Sequence, residues 1–350
     1  WEVPSRPGRD PRWKPETWAR KENEWSNRRL EAYDKWDELK DERLDVIRNI
    51  IGHYQAEILR NVDDEDADAL TLPDSFTLRI QISVKGLKDL ILNYPYIFEV
   101  TEPDDIETPQ RVARQLKTLR SEIQLQPPTA DAPVVCVIDS GIQEEHILLA
   151  PAIDTPTSHC FLPGVSTTDV ADYVAGGGHG TRVAGAVVHG EGVLTTGILQ
   201  CAAWVQNARV LNDQNRMPVQ MMPSAVIRQV VKHFHEGIRK TRIFNHSINS
   251  RFPSRTQHMS AWAAEIDLLS SDYDVLVIQS AGNISLSDVP PKTGVKEHLA
   301  AGRAYPAYLN EASCRVANPA QSLQALTVGS VAYGALESSG WRTLAFQNGA

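Results

Sequence analysis

The chain has 350 residues, room for roughly two domains, and 42% of them are apolar, ample for a buried core. A net charge of −9, with neither a basic stripe nor a phosphate-cradling Gly-Lys motif, argues against a general nucleic-acid binder. The longest apolar runs, 132–138 and 275–278, are too short to span a bilayer, so neither nucleic acid nor membrane is expected as a partner.

Residues 1–62 read as a charged helical region. Thirteen Lys or Arg and thirteen Asp or Glu fall within residues 1–60, interleaved with Trp13, Trp18, Trp25 and Trp36. Such balance suits a solvated helix. Leu44, Ile47, Ile51, Tyr54 and Ile58 recur at spacings of three and four, predicting a helix over 38–60 with one apolar stripe to bury. An acidic linker at 63–68 follows. Phe76, Leu78, Ile80, Ile82 and Val84 alternate with Thr77, Arg79, Gln81 and Ser83, the pattern of a half-buried strand. Leu87, Leu90, Ile91 and Tyr94 predict a short helix closed by Pro95, and Tyr96, Phe98 and Val100 a second strand. Residues 63–108 thus read as a small β-α-β unit packing with helix 38–60. Residues 109–133 read as a linker, with Gln126-Pro127-Pro128-Thr129 its most exposed portion and a candidate cleavage site.

Beyond residue 133 the pattern becomes α/β. Strands at 134–138, 208–211, 243–247, 275–280 and 325–328 alternate with helices near 180–188, 223–240 and 258–270, which predicts a doubly wound, mainly parallel sheet. The stretch 285–315 is long for a connection and reads as a lid or a partner-binding insertion. Cys136, Cys160, Cys201 and Cys314 are scattered without a Cys-x-x-Cys. With no secretory signal in the sequence, a reducing cytoplasm is the expected compartment. His233 and His235 lack metal-ligand spacing to cysteines or acids, and no metal is expected.

Three short strings carry the chemistry. The apolar run 134–138 stops at Asp139-Ser140-Gly141, which delivers a carboxylate to the edge where open α/β sheets bind ligands. His179 lies among Gly176, Gly177, Gly178 and Gly180 at the start of the helical string Thr181-Arg182-Val183-Ala184-Gly185. The third string is Ser280-Ala281-Gly282-Asn283. Taken singly, each is a common turn or cap. Together and in this order, with ARVLND at 208–213, NHSIN at 245–249 and NPAQSLQALTVGSV at 318–331, they make the stretch 131–350 resemble the subtilases, the subtilisin-like serine proteases.

That resemblance implies a polypeptide substrate and no cofactor. His179 would be the general base and then acid, Asp139 its orienting carboxylate, and Asn283 a donor to the oxyanion. The family binds its peptide antiparallel along a strand that corresponds to Ser247, Ile248 and Asn249, with Ser280, Ala281 and Gly282 as another wall. Ser140, Gly141, Gly178, Gly180 and Thr181 would shape the site. Asn249 replaces the usual glycine and is expected to narrow the adjoining pocket. The family's fourth string, Gly-Thr-Ser-x-Ala, has no counterpart between Trp1 and Ala350, so the nucleophilic serine is expected beyond residue 350. The alternative is a non-catalytic peptide-binding or scaffolding module. The small unit before the linker is similar to subtilase prodomains, which assist folding and block the cleft. A permanently attached accessory domain or a regulatory protein partner is the other reading of that region.

Overall fold

The computed structural model describes residues 4–59, 69–104, 106, 122–176, 178–190, 196–288, 293–329, 335–337 and 340–342. They fall into two compact units, the first from Trp1–Arg60 and Asp74–Glu102, the second from Asn61–Pro73 and Pro103–Ala350.

The first unit is built on helix α1 (Pro15–Gly52) and helix α2 (Val84–Asn93). Pro15 opens α1 where its missing N–H has no helical partner to lose. The charged region read as helical over 1–62 is one helix from residue 15 to 52, and the apolar stripe expected over 38–60 lies along its C-terminal part. The buried stripe of α1 is Lys40, Leu44, Ile47 and Ile51, while Tyr54 and Ile58 lie past its end. Ile47 and Ile51 form a small core with Leu90 and Tyr94, flanked by Ile58, Phe76, Ile80, Ile82 and Ile97. Ser83 caps α2 by accepting from the Gly86 N–H at 3.2 Å.

The strand expected over 76–84 is broken into Phe76–Thr77 and Ile80–Gln81, the latter pairing antiparallel with Glu57–Ile58. The second expected strand is absent. Tyr96, Phe98 and Val100 are 61%, 64% and 50% exposed, and Ile97 packs inward instead. The alternation is real, but the turn at Pro95 and Tyr96 gives it the opposite phase. The acidic linker at 63–68 lies outside the described residues.

The second unit contains β1 (Glu122–Gln126), β2 (Val134–Asp139), β3 (His159–Cys160), α3 (His179–His189), β4 (Thr196–Gln200) and β5 (Trp204–Arg209). Then come α4 (Pro223–Glu236), β6 (Ile243–His246), α5 (Ala261–Tyr273), β7 (Leu276–Ser280), α6 (Val295–Ala300) and β8 (Leu326–Val328). Six strands form one parallel sheet in the order β8-β7-β6-β2-β5-β3. This is the doubly wound α/β architecture expected from the alternating strings.

Both faces of the sheet are covered, which is why β2 reads as an unbroken apolar run. Cys136 and Ile138 point to one side, into a core with Phe244, Val277, Val230 and Ile227 of α4, and Ile266 of α5. Val137 points to the other, against Ala184 and Val188 of α3 and Val205 of β5. Leu70 and Leu72 join the second unit by packing on Met222, just before α4, and Ala225 of α4, with Ala261 and Ala264 of α5 against them. Arg228 of α4 fixes this segment by donating to the Thr71 carbonyl at 2.7 Å while pairing with buried Glu265.

The expected linker 109–133 is not all connector. Residues 109–121 lie outside the described residues, but Glu122–Gln126 is strand β1, parallel to β4. Past it, Pro128 is buried, and the carbonyls of Pro127 and Thr129 accept from the Gln200 and Trp204 side chains. Gln126, Pro127 and Thr129 are exposed, with only Pro128 buried between them. Within the 285–315 stretch lie α6 and a buried His298, whose Nδ1 accepts from Arg303 Nε at 3.1 Å and whose Nε2 lies 3.2 Å from Cys314 Sγ. All four cysteines are free thiols. Among the described residues no helix is long and apolar enough to cross a membrane.

Candidate active site

Strand register brings the candidate residues to one edge. Ile138 pairs with His246, and His246 with Gln279, so Asp139, Ser247 and Ser280 follow in a row at the C-terminal ends of neighbouring parallel strands. Adjacent strands lie about 4.8 Å apart, so the row spans three strands. Period-two alternation puts Asp139 on the same face as Val137, the face that α3 covers.

The first residue of α3 is His179. Gly180, Ala184 and Val188 form the buried stripe of this helix, and that stripe seats its N-terminus on the end of β2. The approach is close: a Cβ on Gly180 would lie 2.2 Å from the Gly141 carbonyl oxygen and 3.0 Å from Asp139 Cβ. His179 Nδ1 then lies 2.8 Å from Asp139 Oδ2 and 2.9 Å from Oδ1. The Asp139 side chain is 1% exposed and that of His179 15%, so the carboxylate is sealed beneath an imidazole with one open edge. A carboxylate against Nδ1 places the ring proton there and leaves Nε2 as the acceptor. Asp139 Oδ1 also accepts from the Ser140 N–H at 2.8 Å.

A second buried carboxylate stands behind the pair. Asp172 is 3% exposed and takes four donors: Ser140 Oγ at 3.1 Å and Val174 N at 3.2 Å on Oδ1, Thr181 N at 3.0 Å and Thr181 Oγ1 at 2.9 Å on Oδ2. Ser140 Oγ in turn accepts from Gly180 N at 3.1 Å and lies 3.2 Å from Asp139 Oδ1. Ser140, Gly180 and Thr181 are thus hydrogen-bonded into this cluster, Gly178 packs against Asp172, and Gly141 adopts φ 102° beside the carbonyls of Val170 and Ala171. Asp172 escaped the sequence reading. It lies seven positions before His179 in a loop without periodicity, and the one sequence signal pointing to it is the neighbouring glycine run.

Residues 247–249 and 280–282 are tied together by amides. Asn249 is buried and its Nδ2 donates to the Ser280 carbonyl at 2.7 Å. Gln279 Nε2 lies 3.1 Å from both the Ile248 and Ser280 carbonyls. Ile248 packs into the core, Ser247 Oγ donates to Asn245 Oδ1 at 2.8 Å, and Ala281 exchanges main-chain bonds with Val328 and Ala317. Gly282, at φ 94°, lies where a Cβ would strike Ala317. The Asn283 side chain is exposed on the loop after β7, the loop that follows the same sheet edge. Behind the edge, burial pushes the His246 imidazole down to about 4, opposed by its hydrogen bond to Gln279 and the charge of Asp139. Among the described residues no cluster of His, Cys, Asp and Glu could hold a metal ion.

The family model described as the subtilase family matches residues 130–341. The chain belongs to the subtilase family. Subtilases are serine proteases, and the matched stretch contains every candidate site residue named above. A curated relative, the uncharacterized protein y4bN of Sinorhizobium fredii, is 37% identical over 76 residues. That match covers 22% of this chain and 16% of the relative's length. The epidermin leader peptide processing serine protease EpiP of Staphylococcus aureus is 15% identical, with TM-score 0.45, over 82% of this subtilase chain and 67% of EpiP. The MycP3 protease from the type VII (ESX-3) secretion system is 18% identical, with TM-score 0.37, over 59% of this chain and 55% of its own.

Proposed function

We propose that this subtilase is a serine endopeptidase in which Asp139 and His179 activate a serine supplied by sequence beyond residue 350. The observation that carries the reading is the buried Asp139 carboxylate bonded through both oxygens to His179 Nδ1. A lone structural histidine needs no sealed carboxylate, whereas a general base gains from one that holds its tautomer and stabilises the imidazolium. His179 Nε2 would take the serine proton during attack on the peptide carbonyl and return it to the leaving amine. The Asn283 amide would donate to the oxyanion without carrying charge. Peptide main chain would pair along residues 247–249.

Asp104 and Ile106, residues of the second unit itself, are proposed to restrain this edge. Ile106 forms an antiparallel bridge with Ser250, one residue past that strand, and is buried in the core that contains Ile248. Asp104 accepts from Asn318 Nδ2 at 3.1 Å beside it.

Fluorophosphonate labelling of the protein extended beyond residue 350 tests the catalytic reading. Wild type is expected to label at a single serine, His179→Ala to abolish labelling, and Asn283→Ala to lower kcat about 100-fold to 1,000-fold, the loss seen when subtilisin loses such a donor. A folded extended protein that never labels would overturn it in favour of a peptide-binding module.

A further inference from the structure

We propose that Asp172 is a positioning residue for His179: an obligate carboxylate that holds the first turn of the histidine's helix and is coupled to Asp139 through the Ser140 hydroxyl. The inference deepens the catalytic reading of this site and rests on it for its consequence in turnover.

The contacts set the chemical identity of the residue at 172. All four of its side-chain partners are donors: two main-chain N–H groups and two hydroxyls. An amide in its place would, in either orientation, turn its NH2 toward one of the two buried main-chain N–H groups, whereas a carboxylate accepts at both oxygens. The helix explains the need. The N-cap position of α3 is Gly178, which has no side chain to offer, and Asp172 bonds the N–H of Thr181, the third helical residue, in its stead. A Cβ on Gly178 would lie 1.9 Å from Asp172 Oδ2. The carboxylate thus occupies the space where an ordinary capping side chain would start, and its negative charge sits at the positive end of the helix dipole.

The same group reaches the catalytic pair. Ser140 Oγ has one proton and two carboxylate oxygens within reach, Asp172 Oδ1 at 3.1 Å and Asp139 Oδ1 at 3.2 Å. Its lone pair takes the Gly180 N–H, so Ser140 joins the end of β2, the loop carboxylate and the start of α3. Thr181 closes the ring, since its hydroxyl donates to Asp172 and accepts from Gln143 N at 3.1 Å. His179 directly precedes the two residues, Gly180 and Thr181, that this network pins, and neither of its own bonds is made to Asp172.

The test has two independent readouts. The Nδ1 proton of His179 is followed by NMR in the 350-residue chain with 15N-labelled histidine, and fluorophosphonate labelling is timed in the extended protein. In Asp172→Asn the Nδ1–H resonance is expected to broaden or disappear while far-UV circular dichroism stays native, and the labelling rate to fall at least about tenfold, with Asp172→Glu recovering part of it. Ser140→Ala guards against a misfolded Asp172→Asn, because it breaks the link to Asp139 and leaves the cap on Thr181. If the coupling runs through Ser140, the double variant is no worse than the poorer single one. Additive losses, or an unchanged Nδ1 resonance in folded Asp172→Asn, overturn the proposal. Absence of labelling in wild type instead strikes the catalytic reading, and the NMR result still decides the positioning role.

Discussion

Gly180 shows how much of the site depends on one missing methyl group. The helix bearing His179 meets the end of β2 through the Gly180 backbone, with the Gly141 carbonyl 2.2 Å from where a Cβ would stand. Gly180→Ala is therefore expected to push α3 away and break the His179 contact to Asp139, although alanine is the better helix former. We expect a stability loss of about 1–3 kcal/mol by urea denaturation and disappearance of the His179 Nδ1 proton resonance. Retention of that signal in the variant would show that the helix start tolerates displacement. The legible residues share a property. Asp139 and His179 sit in contiguous strings whose local conformation dictates their placement. Asp172 acts across a loop, so only the neighbouring glycine run hints at it, and Asn249 could be seen to replace a glycine but not to bridge two strand ends.

At the level of elements, boundaries were lost where caps decide them. The third helix of the subtilase domain was expected from 258 and begins at Ala261, because Ser260 turns back to accept from Ala263 N at 3.1 Å. Ser260 Oγ also bonds Asn318 Oδ1, the residue whose amide holds Asp104. Ser260→Ala should cost about 1–2 kcal/mol, at the upper end for an N-cap because a second bond goes with it. Equilibrium denaturation of the variant beside wild type measures that loss, and a change below about 0.5 kcal/mol would mean that neither bond matters. Five of the six strands of the parallel sheet were readable from apolar runs, since burial on both faces leaves no ambiguity of phase, whereas the two-residue β3 was not. The N-terminal strands were not readable in the same way. Tyr96, Phe98 and Val100 alternate convincingly, yet alternation carries no information about which face turns inward. The strand β1 hid behind the Pro127-Pro128 pair, which reads as a linker.

For the molecule as a whole, one buried base sets an acid limit. His246 is 2% exposed and its imidazole is held down to about 4 in the folded chain. An unfolded histidine takes its proton near pH 6.5, so between those values the unfolded chain binds more protons than the native one. Stability present above pH 6.5 is therefore lost as the pH falls toward 4, by on the order of 3 kcal/mol from this group. Urea midpoints recorded from pH 7 to pH 4.5 should decline, and less steeply in His246→Gln. Equal slopes would assign the acid sensitivity elsewhere. Chain connectivity has a separate outcome. Leu70, 1% exposed, and Leu72 are packed within the second unit, although the residues on either side of that segment, up to Arg60 and from Asp74, belong to the first. A single nick between 107 and 121 would thus not set the upstream portion adrift. Departure would require two leucines and the carbonyl of Thr71 to leave α4, which makes release a dissociation step with its own rate constant, separable in time from the cut itself.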